Sequence, residues 1–151
     1  MKKICLFIFI IAILSSCAEQ SPKATVVAER ARQIKTVYVW DADGHSNLSL
    51  LKGLKAEAKK QLKEKGLIVV DDPSSTESYA KVTVLSAYND PDKGKAYISA
   101  RMYLIDASDN SIFYDKTAEA KASGGGENGP GYPIEKIIRE LLLDYPAVKA
   151  K

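Results

Sequence analysis

"KAYISARMYLI", Lys95 to Ile105, is the stretch whose reading decides the fold. Ala96, Ile98, Ala100, Met102 and Leu104 point one way, and Tyr97, Ser99, Arg101 and Tyr103 point the other. A period of two marks a β-strand with one face in a core. The second face is large, amphipathic and aromatic. Turn-forming clusters bound the stretch, "NDPDKG" before it and "DASDN" after it. Strands are expected on either side, over Tyr79 to Tyr88 and Ser111 to about Ala120. The three make an antiparallel meander with Lys95 to Ile105 in the middle.

Upstream, "TVYVW" (Thr36 to Trp40) is rich in β-branched and aromatic residues and reads as a strand. After the loop "DADGHSN", Ser46 or Asn47 caps a helix running to about Lys65. Its apolar side is Leu51, Leu54, Ala58 and Leu62, while Lys52, Lys55, Lys59, Lys60 and Lys63 line the wet side. Gly66 stops the helix. "LIVV" (Leu67 to Val70) is wholly apolar, which predicts an inner strand covered on both sides. Ala24 to Ala28 reads as a short edge strand.

Downstream, "SGGGENGPG" (Ser123 to Gly131) is a linker, and Pro133 suits the first turn of a final helix. Ile134, Ile137, Ile138, Leu141, Leu142 and Tyr145 form its stripe, and Pro146 ends it. The expected class is α+β: a single mixed sheet, strand-helix-strand then a three-strand antiparallel meander, with two helices packed on one face.

The N-terminus reads as a signal. Met1-Lys2-Lys3 is a basic start, and Ile4 to Leu14 is an uncharged run of eleven residues. A bilayer span takes roughly 20 apolar residues, so this run fits a signal peptide better than a permanent anchor. Leu14-Ser15-Ser16-Cys17 then resembles the bacterial lipobox, in which the cysteine thiol receives a diacylglycerol and the chain is cut before it. Cleavage is expected between Ser16 and Cys17. Residue 18 is Ala and not Asp, which points to export to the outer membrane. The expected organisation is a signal over 1–16, a lipidated anchor and tether over 17–35, and a domain over 36–148.

This reading constrains chemistry. Cys5 leaves with the signal and Cys17 is consumed by lipid, so of two cysteines none remains for a disulfide, a thiolate metal site or a nucleophile. Removing Met1 to Ser16 from the 151 residues leaves 135, enough for one domain. The net charge of +3 falls to +1 without Lys2 and Lys3, which argues against nucleic acid as a partner.

Each candidate reactive cluster has a plainer explanation. Asp41, Asp43 and His45 share one loop, but its glycine, Gly44, stands at the fourth position where a calcium loop has its glycine at the sixth, and no Glu closes the loop. His45 is the only histidine, and no G-x-S-x-G elbow accompanies it. Asp71-Asp72 precede a proline and read as a turn. "GGGENGPG" lacks the Lys-Ser/Thr pair of a phosphate loop. No metal, no cofactor and no catalytic residue is expected. The aromatic sheet face is the candidate site: Tyr38, Trp40, Tyr97, Arg101 and Tyr103, joined by Phe113. Tyr, Trp and Arg are the residues enriched at protein interfaces.

"TVYVW", the capped helix, "KEKGLIVVDDP", "SYAKVTVLSAYND" and the hairpin "ARMYLIDASDNSIFYDKTAEA" together carry a family resemblance over roughly residues 36–121. The chain resembles the surface-exclusion (complement-resistance) lipoproteins of conjugative plasmids and the small α/β lipoprotein domains that include the TolB amino-terminal type. It departs from the former where they carry a long glycine-rich insertion: here only "NDPDKG" stands. The resemblance implies the fold class and a non-enzymatic envelope role. The expected function is a binding or assembly accessory with an envelope protein as partner; the alternatives are a surface-displayed ligand-binding or exclusion lipoprotein and, behind that, a hydrolase or metal enzyme using His45. It carries over no functional residue except the lipobox cysteine.

Overall fold

The computed structural model describes residues 25–123 and 131–148. The expected signal and lipobox, the expected lipidation site Cys17 and most of the glycine linker lie outside the described residues. One sheet organises the rest, in the order β1-β6-β5-β4-β2-β3. Its strands are β1 (Thr25–Val26), β2 (Thr36–Val39), β3 (Ile68–Val70), β4 (Ser78–Asp90), β5 (Lys95–Asp106) and β6 (Ile112–Ser123). The helices are α1 (Ala28–Gln33), α2 (Leu48–Glu64) and α3 (Ile134–Leu141).

The meander forms as expected, with β5 antiparallel to both β4 and β6. Ala96, Ile98, Ala100, Met102 and Leu104 are all buried in the sheet's core face. The strand-helix-strand unit is also present, since β2 and β3 are parallel neighbours joined through α2. Asn47 is the cap: its side chain accepts a hydrogen bond from Leu50 N at 3.1 Å. Leu54, Ala58 and Leu62 of α2 are buried, and Gln61 donates to Glu135 O at 3.1 Å, tying α2 to α3.

The sequence-based expectations need five corrections. β3 is an edge strand, not an inner one: it pairs only with β2, and Ile68 is 61% exposed. Its apolar run packs one face only. Leu50, rather than Leu51, is the buried leucine of the first turn of α2, and Leu51 sits at the core margin. α3 ends at Leu141, before Pro146, and turns carry Leu142 and Tyr145 inward. The domain also begins before residue 36. The expected edge strand appears as β1, and α1 follows with Ala31 and Ile34 fully enclosed. The Tyr145 hydroxyl donates to Ala31 O at 3.2 Å, which locks α1 beneath the C-terminal turns. The folded part thus includes residues 25–35, expected to belong to a tether.

Phe113 is the fifth. It is buried in the core and absent from the aromatic face. Leu104 pairs with Tyr114 but Ile105 pairs with Ile112, so β6 carries one extra residue at Phe113. A bulge turns two consecutive side chains to the same side, and Phe113 and Tyr114 are buried side by side.

Candidate functional site

The candidate surface is the sheet face opposite the buried positions of β4, β5 and β6. Directly opposed residues on neighbouring strands share a face. Tyr38 opposes Tyr79, Lys81 opposes Tyr103, Tyr103 opposes Asp115, and Arg101 opposes Thr83 and Thr117. Tyr88 opposes Tyr97, and Tyr97 opposes Lys121. The five residues singled out in the sequence thus lie on one face, divided into three clusters.

At the β2 end, the Trp40 ring stacks on Tyr79 with centroids 5.0 Å apart, and Trp40 is 37% exposed. The Lys55 ammonium lies 6.0 Å from the centroid of the Tyr38 ring. In the middle, Arg101 Nε donates to Asp115 Oδ1 at 2.8 Å, and its guanidinium lies 5.8 Å from the Tyr103 ring centroid. The hydrogen bond from Arg101 holds the Asp115 carboxyl below the usual carboxylate range. Beside them, Lys81 Nζ meets Asp43 Oδ2 at 2.7 Å, and that hydrogen bond raises the lysine pKa. At the far end, Tyr88 and Tyr97 stack with centroids 4.8 Å apart. They border a cleft of about 370 Å³ that also touches Ser99, Glu119, Lys121 and Lys136.

Aromatic rings held by stacking lose little side-chain freedom on contact with a partner. Cations held over rings or beside carboxylates are already oriented. Such a surface suits a protein contact better than chemistry on a small substrate.

Three contributors were not singled out from sequence. Tyr79 and Lys81 alternate with Ala80 and Val82, so the same period of two that exposes Tyr97 could have found them. Tyr88 was harder. The β4 register shifts between Val84 and Ser86, which resets the alternation.

The loop acids and His45 have structural partners. Asp41 pairs with Lys55 at 2.7 Å, and Asp71 pairs with Lys59 at 2.9 Å. Asp72 accepts from Ser74 N at 2.9 Å and caps the single 3-10 turn Pro73–Ser75. His45 Nδ1 accepts from Asn47 N at 3.0 Å, which shapes the entry to α2. No helix among the described residues is long and apolar enough to cross a membrane.

With this geometry in view, the fold is one that bacterial lipoproteins use. Lipoprotein GNA1162 from Neisseria meningitidis superposes with a TM-score of 0.53 at 11% identity, over 73% of this chain and 96% of its own. PelC from Paraburkholderia phytofirmans, a dodecamer, is similar at a TM-score of 0.66 and 13% identity, over 85% of this chain and 97% of its own. A DUF4136 family protein from Bacteroides thetaiotaomicron gives 0.54 at 8% identity, over 85% and 97%. No family model matches the chain, and no curated protein matches it.

Proposed function

We propose that this chain is a non-catalytic lipoprotein of the bacterial envelope, anchored in the outer membrane through lipid on Cys17. Its domain would stand in the periplasm as a binding or assembly accessory of an envelope complex. The observation that carries this reading is Leu14-Ser15-Ser16-Cys17, set directly behind a basic start and an apolar run of signal-peptide length. The likeness in fold to lipoproteins supports it. So does the structural employment of His45, Asp71 and Asp72, which leaves the aromatic face as the most distinctive surface. PelC's being a dodecamer supports work within a multi-copy assembly.

Crosslinking in intact envelopes followed by pull-down tests the partner. A defined envelope protein should be recovered, and a Trp40→Ala, Tyr103→Ala double variant should cut recovery tenfold or more, by about the effect of losing two interface anchors. Unchanged recovery would reject the face. The resemblance to surface-exclusion lipoproteins favours a second reading, display at the cell surface. Protease treatment of whole cells separates the two, because a periplasmic domain survives it.

A further inference from the structure

Among the described residues, the outer edge of β6 is unpaired from Thr117 to Ser123, because β1 covers only Tyr114 and Asp115. An unpaired edge presents a row of N–H and C=O groups to any strand that matches it. The stretch is regular strand, since its pairing with β5 is unbroken from Tyr114 to Ser123 and it contains no proline. Its sequence is Thr-Ala-Glu-Ala-Lys-Ala-Ser. Reversed and laid against itself, it sets Thr117 against Ser123, Ala118 against Ala122, Glu119 against Lys121, and Ala120 against Ala120. Each position then meets its like in size or its opposite in charge.

We propose that two copies of this chain join through this edge, β6 antiparallel to β6, about a two-fold axis through Ala120. The backbone permits this register. Val27 N donates to Phe113 O at 2.9 Å and Thr25 opposes Asp115, so odd-numbered residues of β6 turn their N–H and C=O groups outward. Setting 117 against 123 and 119 against 121 pairs odd with odd, as a hydrogen-bonded ladder requires. The extent of the open edge agrees, because Ala120 is the midpoint of the stretch from Thr117 to Ser123. Centring on Glu119 instead would bring Ser123 of the second copy against Asp115, the place that Thr25 occupies.

Charge selects the same register. The neighbouring registers of the right parity, centred on Glu119 or Lys121, set Glu119 against Glu119 or Lys121 against Lys121. Like charges directly opposite one another destabilise a sheet. Centring on Ala120 replaces that repulsion with a Glu119–Lys121 pair on each side of the axis. Both side chains are exposed, and neither makes an ion pair among the described residues. On the other side of the seam stand only the methyl groups of Ala118, Ala120 and Ala122, small enough for the two edges to approach.

Such a contact is isologous and closed, so it stops at two copies. The axis runs perpendicular to the sheet, which keeps the aromatic faces of both copies on one side of a continuous sheet. A partner with two matching sites then gains from binding both at once. The pairing goes beyond the envelope reading and does not depend on it.

Disulfide trapping and charge exchange on the full chain, purified in detergent with micelles in excess over protein, test the contact. Opposed residues of a non-hydrogen-bonded pair have Cα atoms about 4.5 Å apart, within disulfide reach. Ala120→Cys should therefore oxidise to a covalent dimer. Ala122→Cys should not, because its counterpart lies more than about 12 Å away along the strands. The unsubstituted chain, oxidised alongside, reports any bridge through Cys17. The second arm uses exposed residues and leaves the core untouched. Sedimentation should find particles holding two copies. Glu119→Lys or Lys121→Glu alone should weaken the dimer about tenfold or more, and the two together should restore it. Particles holding one copy, no bridge from Ala120→Cys, equal bridging by Ala122→Cys, or a double exchange no better than the single ones would each overturn the proposal. One copy per particle would assign the edge to a segment of the same chain or to a different protein. None of these readouts depends on lipid at Cys17, so they fail separately from the envelope reading.

Discussion

Gly44 sits where a methyl group has no room. Its φ is +87°, and a Cβ there would lie 2.2 Å from Val84 O. The close approach exists because Asp43 bridges β4, donating to Val82 O at 3.2 Å and accepting from Val84 N at 2.8 Å. Gly44→Ala should therefore destabilise the domain by at least about 2 kcal/mol, combining an unfavourable backbone with a clash. Urea unfolding would read this as a lower midpoint at unchanged slope. Asp106 is a second decisive residue. It accepts from Arg30 Nε and from Ser108 N and Oγ, joining α1 to the turn after β5. The Arg30 hydrogen bond holds its carboxyl well below the usual carboxylate range, and the N–H groups of Lys35 and Thr36 lower the Glu77 pKa. Groups with depressed folded-state pKa values stabilise above the unfolded pKa and lose that stabilisation as pH falls. Thermal midpoints should thus hold from pH 7 to about 5 and fall below about pH 4. Asp106→Asn should lower the neutral-pH midpoint and flatten the acid limb. The sequence showed "DASDN" as a turn, but a pairing with Arg30, 76 positions away, has no local signal.

Among the elements, those with a strict period were legible and those set by tertiary context were not. The two-residue alternation of β5 identifies the strand and its buried face, and the three-four spacing of α2 identifies the helix and, apart from Leu51, its buried face. The cap of α2 was legible too, and Asn47→Ala should cost about 1 kcal/mol, read by chemical denaturation. β3 misled because a run of four apolar residues looks the same on an edge as in the middle of a sheet, and neighbours are a property of topology. The bulge at Phe113 is likewise invisible in sequence, since only pairing with β5 reveals the extra residue. It reverses the side to which Phe113 points. α1 escaped notice because six residues carry too little periodicity to stand out. At the other end of the domain, the Tyr114 hydroxyl donates to Leu141 O in the last turn of α3. Burial pushes the Tyr114 phenol up, and its neighbour Tyr145 up to about 12, so both remain neutral donors across physiological pH. Tyr114→Phe leaves that carbonyl unsatisfied and should cost about 1–2 kcal/mol, with loss of protection at the end of α3 in hydrogen exchange.

For the whole molecule, the sheet divides labour between its faces. One face buries the core under α2 and α3, and the other carries stacked tyrosines, Trp40 and oriented cations. Five of the six residues expected on the aromatic face lie there, because period-two alternation places them correctly wherever no bulge intervenes. What that face meets is not written in the strand pattern, since a partner's surface leaves no period in this chain. The proposed location rests on a different segment, Leu14-Ser15-Ser16-Cys17. Mass spectrometry of the N-terminal peptide, from chain purified out of bacterial membranes, tests it most directly. The chain should begin at Cys17 and carry a diacylglyceryl group on that residue, with Cys17→Ser abolishing both the lipid and membrane retention. An N-terminus other than Cys17, or Cys17 found as a free thiol on a chain shed from the membrane, would contradict it.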